Sequence, residues 1–424
     1  MKKNKIIALC DHALSTSGVG TQSRHLFNGL VKKGRWSIRQ FGAALKHNDY
    51  RTAIINDDFI IKPIDGFGNK EMLRVALATE KPDAVFLFTD PRFFIWLFEI
   101  EDEIHQICPI AWWHVWDNKP YPEFNEDYYN ATDLINCHSH HTYSQLVEKF
   151  PEKTNFVPHA VPKDVYYRLP TEEVKKYKSE ILGENNKDSF VAIWANRNAK
   201  RKRPSDVLVS WKKFLEMEEK EKGTKNSILI MHTDPKDQEG PDLLSVVDML
   251  GIKENVFFST DRIDFNQMNI LYNISDICLT ISFAEGFGLS TLESMQAGTP
   301  IVAVKTGGLT RQVVDFRDET ENGVALPVEI KTLVGSQFIP YIYEDYVSCE
   351  TVAAGIFKMF NMTKEEKEAI SLKVEKYAHD CFNLEDTISM WDKTFNDTIK
   401  QWKNSFKSWE VFEIWKKFYL GVLC

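Results

Sequence analysis

The run from Ile277 to Gly308, ICLTISFAEGFGLSTLESMQAGTPIVAVKTGG, leaves few choices of fold. It opens on a short apolar stretch, Ile277 to Ile281, of strand length. Glu285-Gly286-Phe287-Gly288 is too glycine-rich for anything but a loop. Leu289 to Ala297 reads as a short helix, closed by Gly298, with Pro300 just beyond as a stop. A second apolar stretch, Ile301 to Val304, runs into Gly307-Gly308. The pattern is strand, glycine loop, helix, strand, glycine loop.

Such a unit builds an anion site. Glycines let backbone approach a ligand, and the first amides of the following helix have no partner inside it. Glu293 lies about one turn into that helix, where side chains lean back towards the N-terminus. Its carboxylate is therefore placed to accept hydrogen bonds from hydroxyls beside a bound phosphate. Glu285, at the strand end, faces the same cavity from the other side. Two carboxylates would repel a phosphate unless both hold sugar hydroxyls, and that combination points to a nucleotide-sugar.

Glu285, seven residues and then Glu293, within EGFGLSTLESMQAGTPIVA, resembles the signature of the family 4 retaining glycosyltransferases. The resemblance implies the α/β GT-B fold, two Rossmann-like doubly wound parallel-sheet domains facing a central cleft. It implies Glu293 on the donor ribose and Glu285 on the sugar hydroxyls close to the reacting carbon. The amides of Gly286, Phe287, Gly288 and Leu289 would help to hold the diphosphate. It also implies transfer with retention, with no metal and no cofactor beyond the nucleotide-sugar donor. Two glutamates eight apart could also sit on an ordinary βαβ turn. The flanking glycines, the AGTP turn and Gly307-Gly308 favour the specific reading.

A chain of 424 residues exceeds one ordinary core and fits two domains of about 200 residues each. The expected division is an acceptor domain over 1–168, a linker over 169–188 and a donor domain over 189–397. A final helix, about 398–424, would cross back to the first domain, as GT-B proteins do. A net charge of −9 and a pI near 5.7 argue against a general nucleic-acid binder, but leave room for a local basic groove. Seven cysteines without a CxxC pair read as reduced thiols in a cytoplasmic chain. MKKNKIIALC reads as a first strand, not a signal peptide, and Phe93 to Ile100 is too short to span a bilayer.

In the first half, Lys5 to Cys10 reads as strand, Asp11 to Gly20 as loop and Thr21 to Lys33 as helix. Further strands are expected at Ile38 to Phe41, Ala84 to Thr89, Pro109 to Val115 and Leu134 to Cys137. Alternation with helices implies a parallel sheet whose ligands gather at the carboxyl ends of its strands. Gly18 and Gly20 form a glycine turn, which the resemblance places at the interdomain cleft near the donor phosphate. A plain tight turn explains them as well. His114 falls at a strand end in AWWHVWDN, where similar enzymes carry a histidine on the transferred sugar. Packing among tryptophans is its other reading. Asp117 is a weaker candidate for orienting that histidine or the acceptor. His138, His140 and His141 are spaced poorly for zinc, and Ser139 fits better as a helix N-cap. Val157 to Val161 resembles the family's turn into the linker, although Ala160 stands where glycine is usual and Pro162 where an acid is.

The second half opens on a strand at Phe190 to Trp194, followed by the basic run Asn196 to Arg203. The family has an arginine after this strand and a lysine five residues later, both on the donor diphosphate. Arg197 and Lys202 match that spacing. Guanidinium and ammonium groups would stabilise the leaving diphosphate. A solvated basic run is the alternative, although cations at a helix start oppose the helix dipole. Lys200, Arg201 and Arg203 are left as surface or acceptor-facing groups. Further strands are expected at Ser227 to Met231 and Val256 to Ser259. The resemblance then makes Arg262 a candidate near the nucleotide base. Helices over 349–361 and 364–381 complete the domain. Aromatics from Trp391 to Tyr419 recur at steps of three and four, an amphipathic helix that either returns to the first domain or lies on a membrane surface through Lys403, Lys407, Lys416 and Lys417.

The expected function is a retaining, metal-independent glycosyltransferase using a UDP, GDP or ADP sugar by front-face attack. Its acceptor is left open among glycan, lipid-linked, protein and modified nucleic acid. Transfer to a macromolecule such as modified DNA or protein is one alternative. A sugar-nucleotide epimerase and a non-catalytic sugar-nucleotide binder are the others.

Overall fold

The computed structural model describes residues 2–45 and 48–409. Its central strands are short apolar runs with both faces covered, the composition a parallel sheet demands. The first sheet is built from β1 (Asn4–Asp11), β2 (Trp36–Ala43), β3 (Ala53–Asn56), β4 (Phe59–Pro63), β5 (Ala84–Phe88), β6 (Ile110–His114), β7 (Leu134–Cys137) and β8 (Thr154–Phe156). Their order is β3-β4-β2-β1-β5-β6-β7-β8, with only β3 antiparallel to its neighbour. β9 (Val191–Ala195), β10 (Ile228–His232), β11 (Val256–Ser259), β12 (Ile277–Thr280), β13 (Ile301–Val304) and β14 (Gly323–Leu326) form a second, wholly parallel sheet in the order β11-β10-β9-β12-β13-β14.

Both sheets are doubly wound. β9 pairs with β10 on one side and β12 on the other, so the chain reverses direction across the sheet there. Ligand crevices of such sheets open at that reversal. Strand parity sorts the tryptophan pair: Trp112 and Trp113 lie in different core clusters on opposite faces of the first sheet.

Two stretches of the chain's course take definite form. The charged segment expected as an exposed helix and linker holds the Thr171–Leu182 helix, whose Val174, Tyr177 and Ile181 pack on the second sheet's core. The helix that returns to the first domain begins at Leu384 and runs to Ser405, earlier than residue 398. Ile388, Trp391, Phe395 and Ile399 sit on one face of it, buried in the first-sheet core. Asp392 pins it by accepting from Trp36 Nε1 at 2.7 Å and Arg35 Nε at 2.8 Å. Lys403 reaches Asp83 at 3.0 Å. The rest of the aromatic pattern, with Phe412, Trp415, Lys416, Lys417 and Tyr419, lies outside the described residues. Among those described, no helix is long and apolar enough to cross a membrane.

An antiparallel hairpin stands apart from both sheets, β15 (Ile330–Val334) with β16 (Ile342–Tyr346). It bridges the domains. Asn118 Nδ2 donates to Tyr343 O at 2.8 Å, Tyr343 N donates to Lys119 O at 2.8 Å, and Tyr341 packs edge-on against Phe124.

Candidate active site

The reversal between β9 and β12 brings together two loops that are distant in sequence. After β9, Lys202 lies in a short turn that leads into the Pro204–Lys222 helix. After β12 comes Glu285. The Lys202 ammonium donates to Glu285 Oε2, and Ser282 Oγ reaches the same oxygen at 3.2 Å. The two side chains are only 13% and 11% exposed, so neither charge is well served by water. Burial pushes the Glu285 carboxyl up, but Lys202, then Arg201, then the hydrogen bonds outweigh it and hold it below its usual range. Burial likewise pushes the Lys202 ammonium down, against the pull of Glu285. A close, water-poor charge pair of this kind is costly to build, and such pairs concentrate at functional sites.

The glycine pattern has a steric cause. Gly288 sits at φ 89° as the N-cap of the Leu289–Gln296 helix, and no side chain caps that end. The helix's first amides therefore face the cleft. Gly307-Gly308 supports this loop from behind: Gly308 N donates to Glu285 O at 2.8 Å, and a Cβ at Gly308 would stand 2.2 Å from Gly286 O. The second glycine loop is thus a buttress for the first. Phe287 is buried, its ring against His159 and Phe382, and Gln312 Nε2 holds its carbonyl at 2.6 Å.

Glu293 stands one turn into that helix and is partly buried. It accepts from Tyr272 Oη at 2.8 Å. Burial pushes its carboxyl up to about 7, although hydrogen bonds from Tyr272 and Tyr166 oppose this. With an unfolded value of 4.5 and a folded value near 7, the folded state prefers the protonated form. Stability is then fully present below pH 4.5 and declines as pH rises to 7, by at most about 3 kcal/mol. Glu293→Gln should remove that slope. Ligand-free melts should show the variant more stable than wild type at pH 8 and no more stable at pH 4.5, whereas parallel profiles would refute the assignment.

A cavity of about 420 Å³ opens beside the pair, lined by Arg197, Ala199, Lys200, Arg201, Lys202 and Glu239. Arg197 and Lys202 thus share one cavity. Arg197 is held on its far wall, donating to Asp237 at 2.7 and 3.1 Å and pairing with Glu239 at 3.1 Å. The guanidinium nearer Glu285 is Arg201, which the spacing rule passed over. Its Nη1 donates to Ala284 O at 2.7 Å and to Asp117 Oδ2 at 2.9 Å. Asp117 belongs to the first domain, so this ion pair crosses the cleft. Arg203 is structural: buried, it donates to Asp206 and Val347 O and lies over Phe283 and Tyr346.

His114 takes the packed one of its two readings. It is fully buried, with Nε2 2.9 Å from Tyr129 Oη and its ring 4.2 Å from that of Trp112. The imidazole at the cleft is His138, one residue past β7. His138 Nδ1 is 2.9 Å from His114 O, which makes Nδ1 the protonated nitrogen. The buried Nε2 has no hydrogen-bond partner and would lie 2.9 Å from a Cβ at Gly286. Burial lowers its basicity to about 4, keeping it neutral. Its neighbours His140 and His141 diverge, one packing on Phe156 and the other lying 3.2 Å from Asn118 O, while Ser139 caps the next helix.

Gly18 faces the cleft, since a Cβ there would stand 3.1 Å from Leu289 Cδ1 across the interface. Gly20 instead lies in the first turn of the helix, which starts at Gly18 rather than Thr21; its amide donates to Ser17 Oγ at 3.0 Å, and Ser15 Oγ and His12 O leave no room for a Cβ. Arg262 lies exposed in the loop leaving edge strand β11. Ala160, standing where the family has glycine, is clamped at both backbone atoms by Gln22, at 2.9 and 3.3 Å.

Comparison with known structures decides the architecture. Sucrose-phosphate synthase from Thermosynechococcus elongatus superposes with a TM-score of 0.73 at 13% identity, covering 94% of this chain and 100% of that one. Anabaena Alr3699/HepE in complex with UDP-glucose gives 0.66 at 13% identity, covering 93% and 99%. The fold is GT-B. In the GT-B second domain, residues 177–334 match the family described as "Glycosyl transferases group 1". The D-inositol 3-phosphate glycosyltransferase 2 of Catenulispora acidiphila is 38% identical over 71 residues, which is 17% of this chain. The chain spans 16% of the length of that curated relative.

Proposed function

We infer that this GT-B chain transfers a sugar from a nucleoside diphosphate sugar to an acceptor hydroxyl, with retention and without a metal. The buried Lys202–Glu285 pair beside an uncapped helix N-terminus carries the reading. Lys202, with the cations around the same cavity, meets the charge that grows on the leaving diphosphate. Glu293 accepts from the ribose. Glu285, held ionised by Lys202 and Ser282, accepts from the sugar hydroxyls, and neutral His138 offers Nε2 to the same sugar. The held carboxylate supports front-face attack, in which the departing phosphate takes the acceptor proton. UDP-sugars are the first donors to try, because HepE holds UDP-glucose.

A thermal-shift panel of UDP-, GDP- and ADP-sugars on wild type and Glu293→Ala tests this reading. One nucleotide-sugar should stabilise wild type and lose its effect in the variant. Stabilisation by none of them, with both proteins folded, would refute it.

A further inference from the structure

Arg201 was left without a role by the spacing of the basic run, yet it holds a first-domain carboxylate in the donor site. Its Nη1 binds Asp117 Oδ2 at 2.9 Å while its neighbour Lys202 holds Glu285. Asp117 is seated deeply. A Cβ at Gly286 would stand 2.4 Å from Asp117 Oδ1, and one at Gly307 would stand 3.0 Å from Asp117 O. The carboxylate therefore lies against the glycine loop that should receive the donor, in contact with a cation of the donor cavity. An anion from the protein fills a place suited to an anion of the ligand.

We propose that Arg201 is a donor-phosphate ligand and that Asp117 is its exchangeable partner in the donor-free protein. This rests on the nucleotide-sugar reading above. Of the cavity's other cations, Lys200 lies exposed on its rim. Arg197 is tied to Asp237 and Glu239 within its own domain, and Lys202 is needed by Glu285. The Arg201 pair joins the two domains at this cavity, and the Arg201 side chain is 46% exposed, within reach of an entering ligand. A diphosphate with more charge than one carboxylate outcompetes Asp117 for the guanidinium. Asp117 is then released at the mouth of the site, where an acceptor hydroxyl can meet it. Donor binds first and acceptor second, because the carboxylate that receives the acceptor is occupied until the donor frees it.

Calorimetric titration of UDP, GDP and ADP into wild type, Asp117→Asn, Arg201→Gln and the double variant tests this. Asp117→Asn keeps the side chain's shape and removes the competing charge. It should tighten the recognised nucleoside diphosphate by about tenfold, and Arg201→Gln should weaken it by a similar factor. In the Arg201→Gln background the gain from Asp117→Asn should vanish. A merely structural pair would not give tighter binding when broken. Asp117→Ser, with ligand-free melts of every variant, guards against a misfolded asparagine variant. Unchanged or weaker binding in both Asp117 variants overturns the proposal, as does an undiminished gain in the double variant. Either result leaves the donor-site reading standing if wild type binds and Glu293→Ala does not. Failure of all three nucleotides to bind wild type and Asp117→Asn would overturn both.

Discussion

Lys202→Met is expected to cut donor turnover, as kcat/KM, by about a thousandfold, the scale set by losing one preorganised charge at a leaving group. The same change strands Glu285, which is 11% exposed, without its countercharge. Removing one partner of a buried pair costs about 3–5 kcal/mol, so the variant should also melt lower. The sign of the pH effect separates the two roles. In wild type the Glu285 carboxyl is held low, so its contribution is present above the usual carboxylate range and lost as pH falls through the depressed value. Without Lys202, burial prevails, the carboxyl rises, and stability instead declines as pH increases. Adding Glu285→Gln should restore stability and leave turnover absent. Melting curves across pH, with donor-turnover assays on the single and double variants, check both halves. Recovery of turnover in the double variant would contradict the assignment.

Gly308→Ala should damage the donor site although it touches no charged group. Its methyl would lie 2.2 Å from Gly286 O and 2.6 Å from Phe287 Cα, both backbone positions with no rotamer to relieve them. Overpacking of this sort costs about 1–3 kcal/mol, and here the displaced backbone is the donor loop itself. Nucleotide-sugar binding should fall below detection while the fold persists, with a lowered melting temperature. Titration of the donor identified by the thermal-shift panel reads the first, and a melt the second. Wild-type affinity in this variant would show that the second glycine loop does not shape the first.

The sequence revealed most where a residue's identity is fixed by local backbone. Gly288 needs a positive φ and Gly308 a close approach, and both were visible as punctuation around Glu285 and Glu293. Lys202 was visible because its spacing from β9 survives folding. Arg201 was not, because its meaning depends on Asp117, which lies 84 residues away on the other domain. The burial of His114 could have been read from parity alone. It is two residues from Trp112 on one strand, so the two share a face, and a face that buries Trp112 buries His114. The β15–β16 hairpin left little trace, since its strands are largely solvent-facing and lack a continuous apolar run. Its role as a bridge comes from backbone contacts to Asn118 and Lys119, which no composition records.

Proton NMR of the sugar released during slow donor hydrolysis, with wild type and Lys202→Met side by side, tests the central claim most directly. The site described here predicts that wild type releases the nucleoside diphosphate and a sugar whose first-formed anomer keeps the donor's configuration, while Lys202→Met releases neither. An inverted first anomer, or equal release by the variant, would contradict it.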